Sequence, residues 1–245
     1  ASPKVSSSIA AAPKSGSSKS CVVWSGRYWR STLAAGTDPA HARRASARMR
    51  PDHSTARAMT STPQRLFVLF VLAVLMAASR AHVFDHFSPP DTSWATFFVA
   101  GFVLRGWGRW AFPALMALAV AVDWYVISGQ GIAFWSHYCV SPGYWCLVPA
   151  YGAMWAGGAW LRRHYVRANW DALGRLALAF VVSVLVCHLI AQGSFYWTSA
   201  SVAAPTLAGW WKNYTDWLPP YLVTAGVYVA IAAAVPVAAE RIGPA

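Results

Sequence analysis

From Met59 onward, long apolar runs alternate with short polar breaks. A helix needs about 20 mostly apolar residues to cross a bilayer, with a lower limit of about 17. Six runs approach or reach that length: roughly 65–82, 92–105, 109–128, 144–161, 174–193 and 218–239. The second is short, and spans only with Phe84 to Pro90 at interfacial depth. Within lipid the backbone must satisfy its own polar groups, and these runs lack the two-residue alternation of a membrane barrel. The sequence therefore predicts an all-α, polytopic membrane protein, a six-helix bundle over residues 59–245.

Composition agrees: 57% of residues are hydrophobic and 11% charged, against roughly 25% charged in soluble domains. The net charge of +12 divides unevenly. Residues 1–58 hold ten Lys/Arg against Asp38 and Asp52, a net +8. This segment is Ser/Ala/Lys-rich, then Arg-rich, with no apolar periodicity, and it lacks the apolar core of a secretory signal. It reads as a disordered basic extension outside the natural fold. No basic motif on a folded domain supports a nucleic-acid partner.

The polar breaks also set an orientation. Arg65, Arg105, Arg109, Arg162, Arg163, Arg167, Arg175 and Arg241 fall on one side, Arg80 and Lys212 on the other. Basic residues collect on the cytoplasmic side, so both termini are expected there. The breaks facing outward carry His82, Asp85, His86, Asp91, His137, Cys139 and Asp216, and they are rich in tryptophan. One of them, 193–217, reads as a 25-residue irregular connection, long for a helical protein. An outward vestibule walled by aromatics suits a large, flat, partly apolar ligand.

The segment "SHYCVSPGYWC", residues 136–146, faces that vestibule. The thiol of Cys139 reads in three ways: a metal-binding thiolate favoured by a cationic His137, a disulfide with Cys146, or an inert interfacial thiol. Cys187 reads as core. His188 lies deep in the fifth run, as a functional group or as a neutral imidazole bonded to a neighbouring helix. Asp123 sits near the outward end of the third run. There is no CxxC, GxSxG, HExxH or phosphate loop, which removes support from conventional thiol-redox, hydrolase and nucleotide chemistry. Ala73 and Ala77, and Ala117 and Ala121, form small-residue faces that permit close helix contact.

Six compact helices, cytoplasmic termini, aromatic outer loops and AxxxA in the first helix resemble the substrate-binding S-components of energy-coupling-factor vitamin transporters. Within that group, "HYCVSPGYWC" most resembles the BtuM-type solitary cobalamin transporters of proteobacteria. The resemblance implies a multi-pass protein of the bacterial inner membrane that binds and takes up cobalamin. It implies a cysteine thiolate as axial ligand to cobalt, here Cys139 with Cys146 as fallback, and thiolate-assisted decyanation of cyanocobalamin. By loop position and aromatic character, Trp135, Tyr138, Tyr144, Trp145, Trp210 and Trp211 are the expected walls, with His137 also expected at the bound ligand. Ala73 and Ala77 match the surface that engages the shared coupling module. Alternatives are an S-component for another vitamin or metal ion, or a membrane redox protein using haem or quinone at His188.

Overall fold

The structure is a computed structural model that describes residues 61–81 and 91–242, with side chains through residue 235. Residues 1–58, His82, Asp85 and His86 lie outside the described residues. Six α-helices follow in order: α1 Thr62–Arg80, α2 Ser93–Val103, α3 Gly108–Gly129, α4 Leu147–His164, α5 Trp170–Thr198 and α6 Leu207–Ile242. The described residues are all-helical, as the apolar runs predict. Four helical segments are long and apolar enough to cross a membrane: Thr62–Arg80, Arg105–Gly129, Trp170–Thr198 and Leu207–Val235.

Local signals account for the helix ends. Pro63 opens α1 in its first turn, where a missing N–H costs nothing. Asn169 caps α5 by accepting the Ala172 N–H at 2.8 Å. Arg162, Arg163 and His164 close α4, where cations offset the negative end of the helix dipole. The exposed large apolar residues run as stripes along helices: Leu178, Val182, Leu185 and Leu189 on α5, and Val223, Val227, Ile231 and Val235 on α6. Such stripes at helical spacing, facing away from the core, are compatible with a multi-pass protein wrapped in lipid.

α2 is the exception. Its 11 residues reach about 16 Å at 1.5 Å per residue, half of a hydrocarbon core about 30 Å thick. Ser93 through Phe98, Ala100 and Gly101 are all buried. It packs chiefly against α4, and also against α1, α3 and α6. Two glycines permit this. A Cβ on Gly101 would strike the Trp155 backbone, and one on Gly158 would strike the backbone of Phe98 and Phe102. On α4's other side, Gly157 lies against Ser183 of α5. The closest helix contacts therefore use glycines of α2 and α4. Of the alanine faces, Ala77 and Ala121 instead line an apolar groove of about 420 Å³ between α1 and α3, with Val74, Ala78 and Tyr125.

The long outward connection at 193–217 is corrected. α5 continues to Thr198 and α6 begins at Leu207, so the irregular link is only 199–206. Trp210, Trp211 and Trp217 are helical residues of α6, not loop residues. α4 also begins later than expected: Tyr144, Trp145 and Cys146 belong to a 3-10 helix, Pro142–Cys146, that precedes it.

Candidate functional site

The segment after α3 forms a cap over one end of the bundle. The chain leaves α3 through Gly131, whose φ of 74° favours glycine. Two 3-10 helices follow, Phe134–Ser136 and Pro142–Cys146. α5 is about 43 Å long for its 29 residues, so its last turns reach past a hydrocarbon core and meet this cap. The Gly143 N–H donates to Thr198 Oγ1 at 3.0 Å, and Ser194 Oγ donates to the Gly143 carbonyl at 3.3 Å. A Cβ at residue 143 would sit 2.7 Å from the Ser194 carbonyl oxygen. Only glycine lets the cap lie this close to α5.

A buried ionic network holds the cap from the other side. Arg80, at the end of α1, is 6% exposed. Its Nε donates to Asp123 Oδ1 at 2.6 Å and its Nη2 to Asp123 Oδ2 at 2.7 Å. Its Nη1 reaches Ser93 Oγ at 3.0 Å, Tyr151 Oη at 3.1 Å and Asp91 Oδ2 at 3.3 Å. Asp91 in turn accepts the N–H and hydroxyl of Ser93 at the start of α2. One guanidinium thus joins α1, α2, α3 and α4. Tyr144 of the cap completes the network, donating its hydroxyl to Asp123 Oδ2 at 2.6 Å. Burial and the Asp123 carboxylate push the Tyr144 phenol well above its usual range, so it stays a donor.

His137, Tyr138 and Cys139 share one turn of the cap. The Cys139 N–H donates to His137 Nδ1 at 3.3 Å, which requires a lone pair on that nitrogen. Burial lowers the His137 pKa, partly opposed by Asp123. The imidazole is therefore neutral near pH 7, and the expected cationic partner for a Cys139 thiolate is not present. Cys139 is disulfide-bonded, while Cys146 and Cys187 are free. The expected alternative of a Cys139–Cys146 bond is thus not formed. Cys146 is half-buried at the foot of the cap.

The expected aromatic walls divide into two groups. Phe134, Trp135, Tyr144 and Trp145 touch in succession: Trp135 and Trp145 ring centres lie 6.3 Å apart, and Tyr144 and Trp145 5.8 Å. Trp135 and Trp145 are exposed. Trp210 and Trp211 pack instead on Tyr214 of their own helix, at 6.2 and 5.8 Å. No ring contact among the described residues joins them to the cap.

His188 lies in a box of Trp94, Tyr214 and Tyr221. Its Nε2 is 2.9 Å from the Tyr214 carbonyl, so that nitrogen donates. Just beyond, Pro219 and Pro220 lack the N–H groups that would serve the Thr215 and Asp216 carbonyls. The imidazole thus pins α5 to α6 at a weakened stretch of helix. Among the described residues no three His, Cys, Asp or Glu side chains are grouped to hold a metal ion.

Sequence reasoning missed the Arg80 hub and Tyr151. Arg80 counted only as a basic residue of an outward break, although a charge in the last turn of an apolar run needs a partner at its own depth. Asp123, at the outward end of a neighbouring run, was the signal. No protein-family model matches the chain, and no curated protein matches it.

Proposed function

We propose that this chain is a cobalamin-binding transport protein of a bacterial inner membrane, with six spans and both termini in the cytoplasm. α2 and α4 then complete the six, α2 as a short helix shielded by its neighbours. Cobalamin binds at the capped end. Its cobalt takes an axial cysteine thiolate, Cys139, once a small thiol has released it by thiol–disulfide exchange. A soft thiolate suits such a centre. The same thiolate, in place of the lower base, would assist loss of cyanide from cyanocobalamin. A coupling module, where one is used, meets the side of α1 that carries Ala73 and Ala77.

The observation that supports this reading is the composition of the cap. It places Cys139 and Cys146 seven residues apart on a segment carrying Trp135, Tyr138, Tyr144 and Trp145, anchored at both sides and continuous with the end of the bundle. Exposed aromatic rings beside a thiol offer stacking surface and a soft ligand together.

The test is the visible spectrum of cobalamin titrated into the purified, thiol-reduced protein. A base-off, thiolate-ligated spectrum is expected, retained in Cys146→Ala and lost in Cys139→Ala. The reverse pattern would move the ligand to Cys146. A spectrum unchanged by protein, or changed identically by both variants, would remove cobalt ligation from the reading.

A further inference from the structure

The end of the bundle opposite the cap gathers arginines from two helix junctions, α2–α3 and α4–α5. Arg105 opens the 3-10 turn Arg105–Trp107, Arg109 lies in the first turn of α3, Arg162 and Arg163 in the last turn of α4, and Arg167 in the α4–α5 link. Contacts place these boundaries side by side. The Arg162 guanidinium lies 5.4 Å from the ring of Phe102, in the last turn of α2, one turn before Arg105. Gly108 backs onto the Trp155 ring of α4. Arg175 Nη1 donates to the His164 carbonyl at 2.7 Å, tying α5 to the end of α4.

Arg162 is partly buried against Phe102, and Arg175 is held by its hydrogen bond. Arg105, Arg109, Arg163 and Arg167 are exposed. No ion pair among the described residues includes them; the pairs there are Arg80 with Asp91 and Asp123, and Lys212 with Asp216. Asp171, an acid whose side chain is described at this end, forms no ion pair either. Like charges held together with no ion-pair partner among the described side chains are open to an external anion.

The surroundings identify which kind. Trp110 and Trp170 are exposed at the same end, and Arg109 lies 5.5 Å from the Trp110 ring. The apolar stripe of α5 begins at Leu173, one turn from Trp170. Arginine beyond tryptophan beyond an apolar stripe is the order of a lipid leaflet: phosphate, interface, chains. A soluble polyanion would leave the tryptophans without a role. We propose that Arg105, Arg109, Arg163 and Arg167 form a binding surface for the phosphate headgroups of anionic phospholipid. Guanidinium forks match phosphate oxygens two at a time. The surface is independent of whether cobalamin is the cargo.

The test uses the full chain in neutral detergent, titrated with phosphatidylglycerol or with phosphatidylcholine of the same acyl chains. Quenching of protein fluorescence by brominated forms of each lipid reports binding. Wild type is expected to bind phosphatidylglycerol at least about tenfold more tightly, since several basic residues each add to the attraction, with the preference shrinking in high salt. Replacing all four arginines by glutamine should bring the two lipids within about twofold, while Lys212→Gln at the capped end should leave the preference intact. Equal binding of the two lipids by wild type would overturn the proposal. So would a preference that survives the fourfold variant, or one abolished by millimolar inorganic phosphate, which would indicate a small-anion site. Should the fourfold variant not fold, Arg105→Gln/Arg109→Gln and Arg163→Gln/Arg167→Gln, made separately, must each reduce the preference.

Discussion

Arg80 of α1 and Asp123 of α3 meet through two parallel hydrogen bonds, at 2.6 and 2.7 Å, in a setting that leaves Arg80 almost no exposure. Removing one partner strands the other's charge, which costs about 3–5 kcal/mol. Asp123→Ala is expected to lower thermal stability in detergent by that order. Asp216→Ala, which breaks the exposed Lys212 pair, should change it by no more than about 1 kcal/mol. Parallel melting curves of the two variants check the contrast.

Tyr144→Phe removes the cap's bond to Asp123 and keeps the ring. A hydrogen bond to a charged group contributes about 1.5–3 kcal/mol. The cap should open more often, and the half-buried Cys146 thiol should react with a small maleimide roughly ten times faster or more. Cys187, fully buried on α5, should not change its rate. Equal acceleration at both thiols would point to general loosening instead.

His137 gives the cap a pH dependence whose sign is fixed. Burial lowers its pKa in the folded state, so below the unfolded value of about 6.5 the unfolded chain binds the proton more readily. Stability is complete above that value and is lost as pH falls below it. Protonation also ends acceptance of the Cys139 N–H at Nδ1. Amide hydrogen exchange across residues 134–146 should accelerate between pH 7 and 5, beyond its intrinsic pH trend. His137→Asn should flatten that excess.

Gly158→Ala is expected to be costly out of proportion to one methyl. Its Cβ would meet backbone atoms of Phe98 and Phe102, which cannot rotate away. Overpacking of this kind costs about 1–3 kcal/mol and more where the helices must separate. Gly106→Ala meets nothing within 4 Å and should be tolerated. Yield and melting temperature of the two variants provide the comparison.

The bodies of α1, α3, α5 and α6 are legible in the sequence because lipid selects uniform apolarity and a helix shows it as a continuous run. Their ends are not. Ser194 and Thr198 read as loop residues, yet each hydroxyl donates to its own helix, Ser194 to the Ala191 carbonyl at 3.1 Å and Thr198 to the Ser194 carbonyl at 2.7 Å. That bonding hides polarity inside α5 and makes 193–198 look irregular. In the site, His137, Tyr138 and Cys139 are neighbours simply by adjacency. The bond from Arg80 to Asp123 spans 43 positions, and nothing in linear spacing reports that two helix ends share a depth. The charge state of His137 was equally hidden, because it depends on burial by distant segments.

α2 has a consequence for how the chain is made. Synthesis delivers helices in order from the N-terminus, and α2 emerges when only α1 exists to receive it. Its principal neighbour, α4, arrives more than 40 residues later. Until then Ser93 has only Arg80 and Asp91 as side-chain partners, and an 11-residue helix is too short to cross a bilayer alone. In the proposed six-span arrangement, α2 then waits at the membrane surface or in the insertion machinery and enters as α4 arrives to enclose it. In that arrangement, a late helix settles the placement of an early one.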